Sequence, residues 1–555
     1  MKKERAKLRT EYAVTEIPFC DYPRPTMVRD SYMCLNGEWK LSTPEWEGSI
    51  VVPYPPEASL SGVGRHLGGR LVYEREFELP SGFLKDRVIL HFGAVDQIAT
   101  VYINGVELIT HVGGYTSFSC DVTDCLKASN TLKVEVTDDL KSRILPYGKQ
   151  SERSKGMWYT QVTGIWQTVW LESVPEVYVK SLDVKVSDKV EIVAEGISTG
   201  KITLTTPDGE RVYGITDGKC EFNLQDPRKW SPECPYLYRY TVESGEDRVE
   251  SYFAVRDISV VETAVGKRIA LNAKPYFMHG ILDQGYFSDG LFLPASTDAY
   301  MDEINRLKAL GFNMLRKHVK IEPEIFYSLC DRLGIVVFQD MVNNGKYSFF
   351  RDTLLPNIGL ARKKDKNAHK CKRARDAFLS SMRDTVIQLK KHPCICYWTI
   401  FNEGWGQFSA DEAYRTLKEL DTTRLIDATS GWFEQSLSDV RSIHSYFFEP
   451  RIDATSRPVV LSEFGGATFK VNGHTASIKD YGYGSCKTRE QFVSRVREKY
   501  ERIIDFKKKG LSASVYTQVS DIEDEINGLI TYDRMIQKIN PEELIDLSRE
   551  LTREE

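Results

Sequence analysis

Two glutamates follow short apolar runs of strand-like composition: Glu403 in Trp398-Thr-Ile-Phe-Asn-Glu403-Gly-Trp-Gly406 and Glu463 in Val459-Val-Leu-Ser-Glu463-Phe-Gly-Gly466. If both runs belong to one parallel barrel, each delivers a carboxyl group to the mouth formed by the strands' carboxyl ends. Two carboxyl groups facing one another across a small gap can cleave a glycosidic bond. One protonates the departing oxygen while the other attacks the anomeric carbon or activates water. Their environments must differ. Hydrogen bonds and a cation such as Arg316 keep the attacking group ionised, whereas apolar walls and a neighbouring anion raise the pKa of the donor. A separation of about 5 to 5.5 Å predicts retention through a covalent intermediate.

The elements that must position this pair are readable from periodicity. Up to about residue 170 short runs alternate apolar and polar residues, as at 75–79, 88–92, 99–103 and 131–137, between Gly, Asn and Asp turns. That pattern predicts a β-sandwich, and Tyr102-Ile-Asn-Gly105 carries the Asn-Gly pair of a tight hairpin. A second β segment, about 177–255, has the length of a small immunoglobulin-like sandwich, with a Pro-Asp-Gly turn after Lys201-Ile-Thr-Leu-Thr205.

Beyond Asp257 strands alternate with helices of 3.6-residue spacing, which predicts βα units. Strands are expected at 276–279, 312–316, 335–340, 395–401, 425–429, 442–446, 459–462 and 513–518, a (β/α)8 barrel. Thr297-Asp298 is expected to cap the first helix, with Met301, Ile304, Leu307 and Leu310 on its buried face. Pro323 is expected in the first turn of the second helix, and Asn540-Pro-Glu-Glu543 opens a closing one. The segments after strands 5 and 6 are too short for full helices. The expected domains are 1–175, a jelly roll; 176–256, an immunoglobulin-like sandwich; and 257–555, the catalytic barrel.

Composition narrows the function classes. A formal charge of -5 over 555 residues offers no basic field for nucleic acid. The basic start, MKKERAKLRTEYA, lacks the apolar core of a signal peptide, and no run is long enough to span a membrane. The 11 cysteines, scattered and odd in number, suit reduced thiols and a cytoplasmic location. Cys394 and Cys396 would face opposite sides of one strand. His279, His318 and His444 sit in no zinc-binding pattern, so no metal or other cofactor is expected. The eight basic residues of 362–375 read as a solvated helix start, with attraction of acidic substrates as the alternative. Trp39, Trp166, Trp170 and Trp230 read as core or domain-interface residues.

The two glutamate segments resemble those of glycoside hydrolase family 2, and the resemblance extends over nearly the whole chain. Leu35-Asn-Gly-Glu-Trp39, Gly113-Gly-Tyr-Thr-Ser-Phe118, Gly164-Ile-Trp-Gln-Thr-Val-Trp170, Pro235-Tyr-Leu-Tyr238 and Gly311-Phe-Asn-Met-Leu-Arg316 all look familial. The resemblance implies a sugar-binding-like jelly roll, an immunoglobulin-like sandwich and a catalytic barrel. It also implies a retaining exo-β-glycosidase with a glycoside or oligosaccharide substrate and no nucleic-acid or membrane partner; a homo-oligomer is possible. By position it makes Glu403 the acid/base, Glu463 the nucleophile, Asn402 the ligand of the sugar 2-hydroxyl and Tyr446 the partner of the nucleophile. Arg316 would position the nucleophile, Trp432 stack on the sugar, and Asp283 and Gln284 bind hydroxyls.

Within that family, glucuronidases carry an Asn-x-Lys pair that Glu525-Ile-Asn527 lacks. This favours a neutral sugar such as a β-galactoside, although Gly280-Ile-Leu-Asp-Gln-Gly285 departs from the histidine-rich segment of typical galactosidases. β-Glucuronidase, β-mannosidase and arabinosidase are the alternatives. A non-catalytic carbohydrate-binding protein is the competing class, which would not require both acids.

Overall fold

The computed structural model describes residues 5–357, 360, 364–366, 368–446, 449–453 and 456–553. The chain folds into a jelly roll, an immunoglobulin-like sandwich and a (β/α)8 barrel. In the jelly roll a four-stranded sheet faces a six-stranded one, and Trp39, Leu41, Val101, Val134 and Leu171 fill the space between. The Asn-Gly hairpin joins Ile98–Ile103 to Val106–Val112. Both turn residues have positive φ, 52° at Asn104 and 84° at Gly105, as the tight turn requires.

In the second domain the seven strands form one ladder whose halves meet through the single pair Thr216 and Lys219. Its inward residues alternate along each strand, as Val190, Ile192 and Ala194 do. Two polar contacts fix it to its neighbours. Arg29 bridges Glu172 of the jelly roll and Asp247 of the second domain, at 2.8 and 2.9 Å. Trp230 donates its indole N–H to Asp331 O of the barrel at 2.8 Å.

The barrel strands are β1 (Met278–Asp283), β2 (Met314–Lys317), β3 (Val336–Asp340), β4 (Ile395–Asn402), β5 (Leu425–Ser430), β6 (Arg441–Ser445), β7 (Val459–Gly465) and β8 (Leu511–Thr517). Their order in the sheet is β5-β4-β3-β2-β1-β8-β7-β6, all parallel. Between β5 and β6 side chains bridge the seam, Ser442 Oγ donating to Asp427 Oδ1 at 2.9 Å. Among the described residues no helix follows β5 or β6, in keeping with the short segments there.

Three local expectations are corrected. The first helix, Thr297–Ala309, starts from Ser296 without a side-chain cap, and Met301 is exposed while Tyr300 and Glu303 turn inward. Pro323 is the N-cap of Glu324–Leu333 rather than a first-turn residue. Asn540 does form a capping box with Glu543, but over a short 3-10 turn that precedes the helix Ile545–Thr552. Cys394 and Cys396, two residues apart, have the spacing that shares one face of a strand rather than opposite ones; both are buried, and all 11 cysteines are free thiols.

Candidate active site

Every residue of β4 is buried, and the chain leaves it in a strained turn. Glu403 has φ +54°, uncommon for a residue with a side chain, and Gly404 and Gly406 follow at +69° and +71°. Hydrogen bonds lock this turn. Glu403 N–H donates to Ser430 O at 2.9 Å, and Glu403 O accepts from the Trp432 indole at 3.0 Å. Trp405, next along, donates to Gly345 O at 3.1 Å. The Glu403 carboxylate is thereby turned into the barrel mouth, 14% exposed, with Oε1 2.9 Å from His444 Nδ1.

Glu463 leaves β7 on the opposite side and is 5% exposed. Its Oε1 accepts from Arg316 Nη1 at 3.1 Å, and its Oε2 accepts from the Tyr446 hydroxyl. Arg316, on β2, is 1% exposed and fully engaged. It grips Asp340 with Nε and Nη2, each at 3.0 Å, and donates to Ser462 O at 2.9 Å and to Asn402 Oδ1 at 2.9 Å. Burial opposes ionisation of Glu463, but the His444 imidazole, the Arg316 guanidinium, His318 and the Tyr446 hydroxyl outweigh it and hold the pKa at about 2. Burial also lowers the pKa of His318, whose Nδ1 lies 2.7 Å from Asp340. Arg316, whose guanidinium stays charged at any working pH, is the permanent cation beside Glu463.

His444 stands between the two acids. Its Nε2 is 3.6 Å from Glu463 Oε1 and 3.1 Å from Ser430 Oγ. One oxygen of Glu403, one of Glu463 and a His444 nitrogen all lie within 4.8 Å of one another. A metal ion placed there would have to compete with Arg316 and Tyr446 for the oxygens of Glu463. The three histidines singled out from the sequence do not converge, since His279 is buried at the other end of the barrel against Ser548, at 3.0 Å.

The structure brings Glu403, Glu463, Asn402, Tyr446 and Arg316 together around one space. Asn402 gives its carbonyl oxygen to Arg316, so its amide NH2 is left to donate. Trp432 backs the Glu403 turn, its N–H spent on Glu403 O and Asp352 O and its ring edge-on to His444 at 5.5 Å. Asp283 lies in a buried charge cage, Oδ2 bonded to Lys317 Nζ at 2.5 Å and Oδ1 to Gly285 N–H at 2.8 Å, and is only 2% exposed. Gln284 donates to Gln518 Oε1 at 3.0 Å and has a buried, unpartnered Oε1.

Other residues of the site were not foreseen from the sequence. Asp340 ends β3 and anchors Arg316; its place at the carboxyl end of a strand was the available signal. Tyr483 stacks on Tyr446 with centroids 3.8 Å apart, fixing the ring whose hydroxyl bonds Glu463. The first domain also reaches in: Trp158 stands edge-on to Trp405 at 5.0 Å and Tyr147 does so at 5.4 Å. No pattern within one segment marks such contacts. The basic run 362–375 lies partly outside the described residues; its end enters the helix Lys372–Leu389.

Comparison with known proteins matches three segments. Residues 264–541 match the family described as "Glycosyl hydrolases family 2, TIM barrel domain", 67–164 match "Glycosyl hydrolase 2 galactose-binding domain-like", and 172–256 match "Glycosyl hydrolases family 2". A β-glucuronidase of Felis catus is 23% identical, over 88% of this chain and 84% of its own. A β-galactosidase of Thermoanaerobacter pseudethanolicus is 24% identical over 59% of this chain and 44% of its own. Among solved structures, a β-D-glucuronidase of Dictyoglomus thermophilum superposes with a TM-score of 0.73 at 17% identity, covering 96% of this chain and 98% of that one.

Proposed function

Because the chain belongs to glycosyl hydrolase family 2, we propose that it is a retaining exo-β-glycosidase. The observation that carries this reading is the pair itself: oxygens of Glu403 and Glu463 within 4.8 Å, one acid against a buried guanidinium and the other on a separate strained turn. Carboxyl groups about 5 to 5.5 Å apart suit direct attack, whereas inverting pairs stand about 6.5 to 9.5 Å apart to admit water.

In this mechanism Glu463 attacks C1 as its ionised carboxylate, and the glycosidic bond breaks while Glu403 passes its proton to the departing oxygen. A glycosyl ester on Glu463 results. Glu403, now ionised, takes a proton from water, whose oxygen bonds to C1 and releases Glu463. Asn402 donates from its free NH2 to the sugar 2-hydroxyl. The exo assignment is supported by the first-domain residues that wall one side of the mouth, Trp158 among them.

A neutral sugar, with β-galactoside first, is favoured by the absence of Asn-x-Lys at Glu525-Ile-Asn527. The second reading is a β-uronidase, supported by the similarity to glucuronidases. A panel of nitrophenyl pyranosides and furanosides, uronides included, tests activity and sugar together; no release from any of them contradicts the proposal. Glu463→Ala should abolish turnover, and added azide should restore it with an inverted glycosyl azide as product. Undiminished activity of that variant would remove the nucleophile assignment.

A further inference from the structure

Glu525, in the segment after β8, is an acid of the barrel mouth that takes no part in the steps above. It is 3% exposed, and its Oε2 accepts a hydrogen bond from the hydroxyl of Tyr159, a residue of the first domain. Two backbone contacts clamp the same segments together: Thr160 N–H donates to Glu523 Oε1 at 2.9 Å, and Gly156 N–H to Asp524 Oδ2 at 3.3 Å. Lys149 belongs to this wall as well, its Nζ 5.8 Å from the Trp158 ring centroid. Among the described residues the Lys149 ammonium makes no ion pair or hydrogen bond, yet its charge bears on both Glu525 and His318.

The strand order says which part of a sugar would meet this wall. C1 must lie between Glu403, after β4, and Glu463, on β7, with the aglycone leaving on the Glu403 side because Glu403 protonates the departing oxygen. One arc from β4 to β7 passes β5 and β6 and is filled by Trp432 and His444. The other arc passes β3, β2, β1 and β8. Along it stand His318, after β2, and Gln518 and Glu525, after β8, with Lys149 of the first domain joined to Tyr159 through its backbone at 3.0 Å, so the end of the ring remote from the scissile bond lies over them.

We propose that Glu525, held by Tyr159 and flanked by Lys149, is the specificity-determining residue of the sugar subsite: it hydrogen-bonds hydroxyl groups at the remote end of the ring and rejects a carboxylate there. The inference rests on the glycosidase reading. Its chemistry fits the task. Burial raises the pKa of Glu525 to about 7, with Glu463 adding to the rise and Tyr159, Lys149 and Gln518 opposing it. A protonated carboxyl group there both donates to and accepts from hydroxyls, the carboxylate accepts from them, and its charge repels a uronate. Tyr159 comes from a different domain, so docking of the jelly roll sets the orientation of the group that reads the sugar.

The test compares kcat/KM for nitrophenyl β-galactoside, β-glucoside and β-glucuronide in the wild type, Glu525→Gln, Tyr159→Phe and Lys149→Ala. The wild type is expected to favour the better neutral sugar over the glucuronide by about 100-fold or more, since an opposed like charge costs several kcal/mol. Glu525→Gln, which keeps the shape and loses the charge, should compress that ratio by about 10-fold or more, mainly through KM. Tyr159→Phe, lacking one hydroxyl, should move the ratio the same way by less, and Lys149→Ala should penalise the uronide further. A wild type that prefers the glucuronide overturns the inference, as does a ratio unmoved in a folded, active Glu525→Gln enzyme. Absence of turnover with every glycoside would instead sink the glycosidase reading itself, and the inference with it.

Discussion

Tyr446→Phe removes one hydroxyl from the hydrogen bonds that keep the nucleophile ionised. The Tyr446 hydroxyl donates to Glu463 Oε2, and stacking on Tyr483 at 3.8 Å holds its ring in place, so the variant should keep the ring where it is. A hydrogen bond to a charged group contributes about 1.5 to 3 kcal/mol, which corresponds to about 1 to 2 pKa units. Glu463 starts at about 2 and should therefore rise by about that much, Arg316 and His444 still opposing protonation. The sign for activity follows: a raised pKa means the nucleophile is protonated at higher pH, so the acidic limb of kcat/KM moves up by about 1 to 2 pH units. The sign for stability agrees. A depressed folded pKa contributes stability that is present above the unfolded value and lost as pH falls through the folded one. The variant's loss should thus be largest above about pH 4.5, the ordinary carboxylate value, and shrink below it. Initial rates of nitrophenyl glycoside hydrolysis from about pH 2 to 8, with urea unfolding at both ends, measure both. An acidic limb that stays in place, or moves down, refutes the reasoning that Tyr446 stabilises the charged nucleophile.

Glu403→Ala should slow substrates with poor leaving groups by about 100-fold or more and those with good ones far less; equal losses would contradict the proton-donor role. Arg316→Met leaves Asp340 and Glu463 buried without their guanidinium, and is expected to cost about 3 to 5 kcal/mol in urea unfolding at neutral pH; a loss below about 1 kcal/mol would show those charges to be otherwise compensated. At Gly404, where φ is +69°, a Cβ would stand 2.1 Å from Phe433 Cδ2, so Gly404→Ala should displace the Glu403 turn and lower kcat by about 10-fold or more. An unchanged kcat would mean that the turn need not be held as it is.

That Glu403 and Glu463 meet at one mouth was legible because it depends on local facts: Glu403 follows the end of β4, and Glu463 lies near the end of β7. Asn402, Arg316 and Tyr446 were singled out largely through the family resemblance, and the structure places all three beside that pair. Asp283 stands at a strand end too, but Lys317 arrives from β2 to pair with it and with Glu322, and the carboxylate is buried in that cluster. Strand position alone does not distinguish an acid open to substrate from one neutralised by a neighbouring strand.

The order of domains, the barrel and its irregular side between β5 and β7 were determined by the chain's own periodicity, since hydrophobic spacing within a segment decides which face of that segment is buried. Tertiary structure alone decided how charges are shared: that His444 stands between the two acids, that Asp340 anchors Arg316, and that Tyr159 of the jelly roll meets Glu525 of the barrel across 366 residues of chain. Periodicity is a property of neighbours in sequence. Electrostatic partnership depends on distance in space, and that is set only when the domains close on one another.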